Sequence, residues 1–162
     1  MKRIYLMRHG KAEDGFDKPD FERDLQSKGI KKTEKIAHFL LEKKTQPQLI
    51  LASMAFRTLQ TAELIRTVLE LPKQIIQEEK SLYLASSNSM LDVIFSVDDK
   101  IDELILVGHN PGISSLATYL SDSDIDWMST SSIIAVELNI NHWTDIPDAS
   151  KKLLFYIKPS NL

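Results

Sequence analysis

Short apolar runs alternate along this chain with longer amphipathic stretches, and that alternation narrows the fold more than any other feature. Ile4–Met7, Leu49–Ala52 and Leu104–Val107 are brief and apolar, the pattern of strands buried on both faces. Between them, Ile30, Ile36, Ala37, Phe39, Leu40 and Leu41 recur at roughly helical spacing. Lys28, Lys31, Lys32, Glu34, Lys35, Glu42 and Lys43 cover the opposite face, so a helix is expected over 27–44 with Ser27 as its cap. A second helix is expected after Ser53, with Leu59, Ala62, Leu64, Ile65, Val68 and Leu69 inward and Pro72 ending it. Ile75-Ile76 reads as a weak strand and Ser89–Val97 as a helix. Asn110-Pro111 opens a further helix whose buried side is Ile113, Leu116, Ala117, Tyr119 and Leu120. Ile133–Leu138 and Leu153–Ile157 close the chain as two strands.

The order β-α-β-α-β-α-β-α-β-β implies an α/β fold: a three-layer αβα sandwich around a mostly parallel central sheet with an antiparallel edge. A chain of 162 residues suits a single domain, 1–162. The absence of cysteine excludes disulfides and thiolate chemistry. A net charge of -3 argues against a broad nucleic-acid surface. No apolar run approaches the roughly 20 residues that span a bilayer. Met1-Lys2-Arg3 resembles the start of a signal peptide, but Arg8 and His9 interrupt the apolar run that follows. A cytoplasmic location is expected.

In such sheets ligands bind off the carboxyl ends of the strands. Arg8-His9-Gly10 ends the first run, Ser53 and Arg57 follow the second, and Gly108-His109-Asn110-Pro111 ends the run from Leu104. Two Arg and two His are therefore expected at one edge. Guanidinium forks match phosphate oxygens, a helix start adds amide donors, and Gly10 without a Cβ would let an anion approach. A neutral imidazole is a competent nucleophile, so His9 and His109 are the expected chemical pair, with pKa values lowered by the flanking Arg until a dianion binds. No H-E-x-x-H or EF-hand spacing is present, so no metal site is expected.

Four landmarks, in order, resemble the histidine phosphatase (phosphoglycerate mutase-like) superfamily. They are Leu6-Met7-Arg8-His9-Gly10, Asp24-Leu25-Gln26-Ser27-Lys28-Gly29, Ser53–Ala62 and Val107-Gly108-His109-Asn110-Pro111. The short length and Thr130-Ser131-Ser132-Ile133-Ile134-Ala135 are similar to the SixA-type branch, the phosphohistidine phosphatases. The resemblance implies a phosphatase in which His9 takes the phosphoryl group, and Arg8, Arg57 and His109 complete the phosphate pocket. Water then releases phosphate, and neither metal nor organic cofactor is needed.

The chain departs from that pattern at Asp24, where Pro is usual, and at Met54-Ala55, where a Pro-containing start is usual. Many members also carry a Glu after the third strand as proton donor, whereas this chain reads Leu82-Tyr83-Leu84, with Glu78 and Glu79 upstream. There is no room for the insertion that caps the pocket in mutases. A leaving imidazole, with a free pKa near 6.5, can be protonated on its far nitrogen and needs no enzyme acid. The expected substrate is thus phosphohistidine on a protein, of the histidine-phosphotransfer type. A small phosphate compound cleaved by a general phosphomonoesterase, or a non-catalytic phosphate-binding module, are the alternatives. Lys11, Glu13 and Thr130–Ser132 are most simply loop and strand-start residues. Ser53 is most simply a cap, His38 and His142 structural, and Tyr83 and Trp127 core, with a protein-docking rim as the alternative for these two.

Overall fold

The computed structural model describes residues 1–162. Ten principal elements follow in order: β1 (Lys2–Arg8), α1 (Ser27–Glu42), β2 (Leu49–Ala52), α2 (Phe56–Val68), β3 (Ile76–Glu78), α3 (Ser87–Phe95), β4 (Glu103–Gly108), α4 (Gly112–Ser121), β5 (Ile133–Leu138) and β6 (Lys151–Ile157). All six strands form one sheet in the order β3-β2-β4-β1-β5-β6. β3, β2, β4 and β1 run parallel, and β5 and β6 run antiparallel beside them. This is the expected α/β sandwich with its antiparallel edge.

The two-residue period of a strand explains the layers. Ile4 and Leu6 of β1, Leu51 of β2, and Leu104 and Leu106 of β4 pack on one face with Met90 and Ile94 of α3 and Ile113 and Leu116 of α4. Their neighbours Tyr5, Met7, Ile50, Ala52, Ile105 and Val107 pack on the other face with Ile36, Ala37 and Leu40 of α1 and Ala62 and Ile65 of α2. Every residue of the three central runs thus meets a helix layer on one side or the other, which is why they read as continuous apolar stretches rather than alternating ones.

Several boundaries move. Ser27 is the first residue of α1 rather than its cap, and Gln26 stands at the cap position. α3 begins two residues earlier than expected because the Ser86 hydroxyl accepts the Ser89 N–H at 3.2 Å. The helix after β4 starts at Gly112, so Pro111 precedes it rather than opening it. Leu41 lies largely exposed on the solvent side of α1. The turn from β5 to β6 contains a 3-10 segment, Trp143–Asp148, whose indole is fully buried and donates to the Ile101 carbonyl at 3.1 Å.

The segment after β1 is tied down. Ala12 pairs with Leu25 in an antiparallel bridge, Gln26 N–H donates to the Lys11 carbonyl at 2.8 Å and Glu13 N–H to the Asp24 carbonyl at 2.9 Å. A 3-10 turn, Asp20–Glu22, lies within it. Gly29 makes this closure possible, since a Cβ there would stand 2.3 Å from the Lys11 carbonyl oxygen. The obstacle is backbone, which cannot swing away. Gly29→Ala is therefore expected to cost about 2 kcal/mol, lowering Tm by roughly 4–8 °C for a chain of this size. At Gly108 the nearest atom is the flexible Met90 Cε at 3.1 Å, so Gly108→Ala should shift Tm less in the same calorimetric comparison.

Candidate active site

Strand register brings the site together. Arg8 pairs with Gly108 across β1 and β4, Ala52 pairs with Val107 across β2 and β4, and His9 N–H donates to the Gly108 carbonyl at 3.2 Å. The residues that follow these strand ends must emerge side by side. Because β5 runs antiparallel, its N-terminal end reaches the same edge: Ser131 N–H lies 3.1 Å from both the Arg8 and His9 carbonyls. The result is one cavity of about 360 Å³ whose walls include Arg8, His9, Arg57, His109, Asp20 and Thr130.

His9 is almost wholly buried. Its Nδ1 lies 2.7 Å from the Gly10 carbonyl oxygen, which can only accept, so Nδ1 carries the proton and Nε2 keeps its lone pair. Burial lowers its pKa to about 4; the Gly10 hydrogen bond works against this, and Arg57 and Arg8 add to it. The ring centroid of His109 is 5.3 Å away. His109 Nδ1 faces Arg57 Nη2 at 3.4 Å and Nε2 meets the Ser53 hydroxyl at 2.7 Å. A guanidinium nitrogen only donates, so Nδ1 is the acceptor and the proton sits on Nε2. Burial, then His9 and Arg57, lower the pKa of His109 to about 3. Both rings are therefore neutral near neutral pH, with opposite tautomers.

The two guanidinium groups differ in their support. Arg57 is 2% exposed; it donates to the Asp20 carbonyl at 2.9 Å and to Asp20 Oδ2 at 3.0 Å. Arg8 donates to the Met128 carbonyl at 3.0 Å. Burial and the charge of Arg57 lower its pKa. The Nε atoms of both are buried and have no hydrogen-bond partner. An unpaired buried donor is costly, and an anion's oxygens would satisfy both.

Three expectations change here. Gly10 does not border the cavity: its N–H donates to Thr61 Oγ1 at 2.9 Å, and a Cβ would stand 2.8 Å from Thr33 Oγ1. Glycine is needed there for packing against α1, not for anion approach. Ser53 is not the cap of α2, whose cap position is Ala55; its hydroxyl binds His109 and, at 2.8 Å, Thr58. The alternation of sequence pattern placed a strand end there but could not show that the hydroxyl turns sideways to β4.

The third change concerns carboxylates. Glu78 and Glu79 stay outside the cavity, but Asp20 and Asp14 reach it from the segment after β1. Burial raises the pKa of Asp20, but the hydrogen bonds from Tyr83 and Arg57 outweigh it and bring the value down to about 2. Tyr83, expected in the core, instead donates its hydroxyl to Asp20 Oδ2 and sets its ring edge-on to His109 at 5.6 Å. Trp127 is 58% exposed and lies over the Arg8 guanidinium at 5.9 Å. Lys11 lines the cavity as well. His38 is exposed, and His142 forms a surface pair with Asp99 at 2.9 Å. No loop-length argument from sequence reveals that the 3-10 turn folds back over Arg57; the acidic character of Asp20 was the only signal available.

Residues 4–80 match the model of the histidine phosphatase superfamily (branch 1). An uncharacterized protein of Mycobacterium tuberculosis strain H37Rv is 28% identical over 94% of this chain and 99% of its own length. The structure assigned as phosphohistidine phosphatase SixA from Agrobacterium tumefaciens superposes with a TM-score of 0.82 at 25% identity, covering 98% of each chain. Protein histidine phosphatase SixA complexed with tungstate superposes with a TM-score of 0.83 at 20% identity, also over 98% of each chain, a likeness of fold. The N-terminal part of the chain thus resembles the histidine phosphatase superfamily. The fold is that of the SixA-type structures, and the matched family and these neighbours together support phosphatase activity.

The two histidines tie stability to pH. Their folded pKa values, about 4 and about 3, lie below the unfolded value near 6.5. Between those limits the unfolded chain binds more protons, so stability rises with pH. It is full above about pH 6.5 and falls as pH drops toward 4. Unfolding midpoints measured across pH 4–7 should therefore decline steeply toward acid in the wild type. The slope should flatten in His109→Gln, which removes one of the two groups.

Proposed function

We propose that the protein hydrolyses phosphohistidine on a phosphorylated protein by way of a phosphoryl group carried on His9. The observation that carries this reading is the His9 ring itself: neutral, its Nδ1 proton fixed on the Gly10 carbonyl and its Nε2 free as nucleophile. Arg8 and Arg57 would bind the equatorial oxygens, their unpartnered Nε atoms supplying donors that strengthen as charge develops. Attack by Nε2 forms an N–P bond as the N–P bond of the substrate breaks, and the leaving imidazole keeps the electron pair and is protonated on its far nitrogen by solvent. Water then attacks phospho-His9, restoring the imidazole and releasing inorganic phosphate.

Charge balance assigns a part to His109. The free site holds two guanidinium cations, one Asp20 carboxylate and two neutral imidazoles. A phosphoryl dianion reverses the sign, which favours a proton on His109 Nδ1 and gives one more donor to a phosphoryl oxygen. Neither a metal nor an organic cofactor takes part in this scheme. One domain, 1–162, carries both steps in the cytoplasm, acting on protein rather than nucleic acid.

Asp20 favours a second reading, a small-molecule phosphomonoesterase, because it places a carboxylate where a general acid could stand. Its pKa near 2 leaves it without a proton to give in the free site, and an alkoxide leaving group requires one. An imidazole leaving group does not, so phosphohistidine remains the better match.

Radiolabelled phosphodonor should mark the wild type with an acid-labile, alkali-stable adduct that is absent from His9→Ala. Label surviving in His9→Ala would show the wrong nucleophile; no label in a wild type that binds phosphate would favour the recognition module. Arg57→Ala should lower kcat/KM about 10²–10³-fold, as for loss of one preorganised donor to a developing charge. In a substrate panel, turnover of sugar phosphates equal to that of phosphohistidine protein would overturn the substrate assignment.

A further inference from the structure

Two large apolar side chains stand exposed in the wall of a polar cavity, and a third lies close to it in sequence. Leu84 (57% exposed) and Trp127 (58%) both line it, one from the turn after β3 and the other from the segment between α4 and β5. Phe16, 97% exposed, follows two residues after Asp14, which lines the same cavity. A sugar phosphate would meet hydrocarbon where its hydroxyls need partners. The hydrocarbon suits a larger apolar surface laid across the mouth.

The backbone shows how Leu84 comes to stand there. Five residues other than glycine have a positive φ: Lys44, Glu70, Leu84, Asp122 and Ser131. Lys44, Glu70 and Asp122 sit at the ends of α1, α2 and α4, where a left-handed residue ends a helix at little cost. Leu84, at φ 49°, likewise follows a helical turn, the 3-10 segment Lys80–Leu82 with Tyr83 at its cap position. That reversal leaves the isobutyl group more than half exposed at the edge of the phosphate site. Next to Trp127, Asp124 and Asp126 are exposed and form no ion pair, whereas Asp122 faces Lys151 at 4.0 Å.

We propose that Phe16, Leu84 and Trp127 form a collar that docks a folded protein surface around its phosphohistidine. The partner surface would be apolar beside the phosphorylated ring and would carry Lys or Arg opposite Asp124 and Asp126. The proposal rests on the phosphohistidine reading above and adds what selects a protein over a free phosphoramidate. Trp127 lies over Arg8, whereas Phe16 and Leu84 carry no polar side-chain atom that could act on His9 or the phosphoryl group, so the contribution of these two belongs to KM rather than to kcat.

The double variant Phe16→Ser, Leu84→Asn tests this, Asn being a residue that tolerates the left-handed turn. Three substrates are compared: a histidine-phosphotransfer domain phosphorylated on its histidine, free phosphohistidine and p-nitrophenyl phosphate. For the protein substrate KM should rise about tenfold, the loss expected from uncovering one or two apolar contacts. Turnover of the two small substrates should stay within about twofold of wild type. An unchanged KM for the protein would overturn the collar, as would equal losses on all three substrates. A loss shared only by the protein and p-nitrophenyl phosphate would also overturn it, because the side chains would then grip an aromatic leaving group. Wild type inactive on both phosphohistidine carriers would instead remove the functional reading, and the docking surface with it. In 0.5 M salt, roughly the regime where exposed pairs are screened, KM should rise more for the protein substrate than for the two small ones.

Discussion

The Arg57 guanidinium, 2% exposed and ringed by polar partners, is the constraint on which the site depends. A permanent cation cannot leave water unless its donors are met. Asp20 supplies a carbonyl and a carboxylate oxygen, and His109 supplies a ring nitrogen. That last contact fixes the tautomer of His109, which in turn directs its Nε2 proton to Ser53. The same cation, together with burial, keeps His9 unprotonated. One buried charge therefore orders two imidazoles and holds the segment after β1 against α2.

Burial of that charge also explains why Asp20 stands where it does. With Asp20 ionised, the free site carries a net positive charge from two arginines and one carboxylate. An arriving phosphoryl dianion competes with Asp20 for the Arg57 fork, and the segment carrying Asp20 is closed by backbone bonds at Lys11 and Glu13. Asp20 thus lowers the cost of keeping Arg57 buried without filling the pocket, since Arg8 Nε and Arg57 Nε remain unpaired.

Much of this was legible in the residues, and the limits follow the physics. The three central runs have no polar interruption, so their burial between helix layers could be read directly, and the carboxyl-end rule placed Arg8, His9, Arg57 and His109 at one edge. What escaped were directions within loops. Gly10 looked like an open approach for an anion, yet tertiary contact with Thr33 and Leu25 requires the missing Cβ. Tyr83 and Trp127 looked like core residues because aromatic side chains usually are, whereas here each is held at the cavity by a partner, Asp20 or Arg8. Asp20 itself lies 11 residues beyond His9 in a polar stretch with no periodicity, where sequence spacing says nothing about facing.

The two ends of the sheet contrast in how fully their polar groups are met. At the amino ends of β1 and β4, buried Lys2 finds three acceptors, the carbonyls of Asp99 and Ile101 and the Asp102 carboxylate, at 2.7, 2.9 and 3.0 Å. Trp143 packs beneath it, its ring centroid 5.1 Å from the ammonium. That end is satisfied and unstrained. At the carboxyl ends, two guanidinium nitrogens lack partners, two buried histidines are held neutral, and Ser131 adopts left-handed backbone away from any helix end. Costs of this kind persist only where surrounding packing over-determines them. The 98 backbone hydrogen bonds and the two apolar layers supply that packing. The unpaired donors are confined to the edge where an anion would meet them, and the fold holds the site in the arrangement that binding requires rather than the one that isolated side chains would prefer.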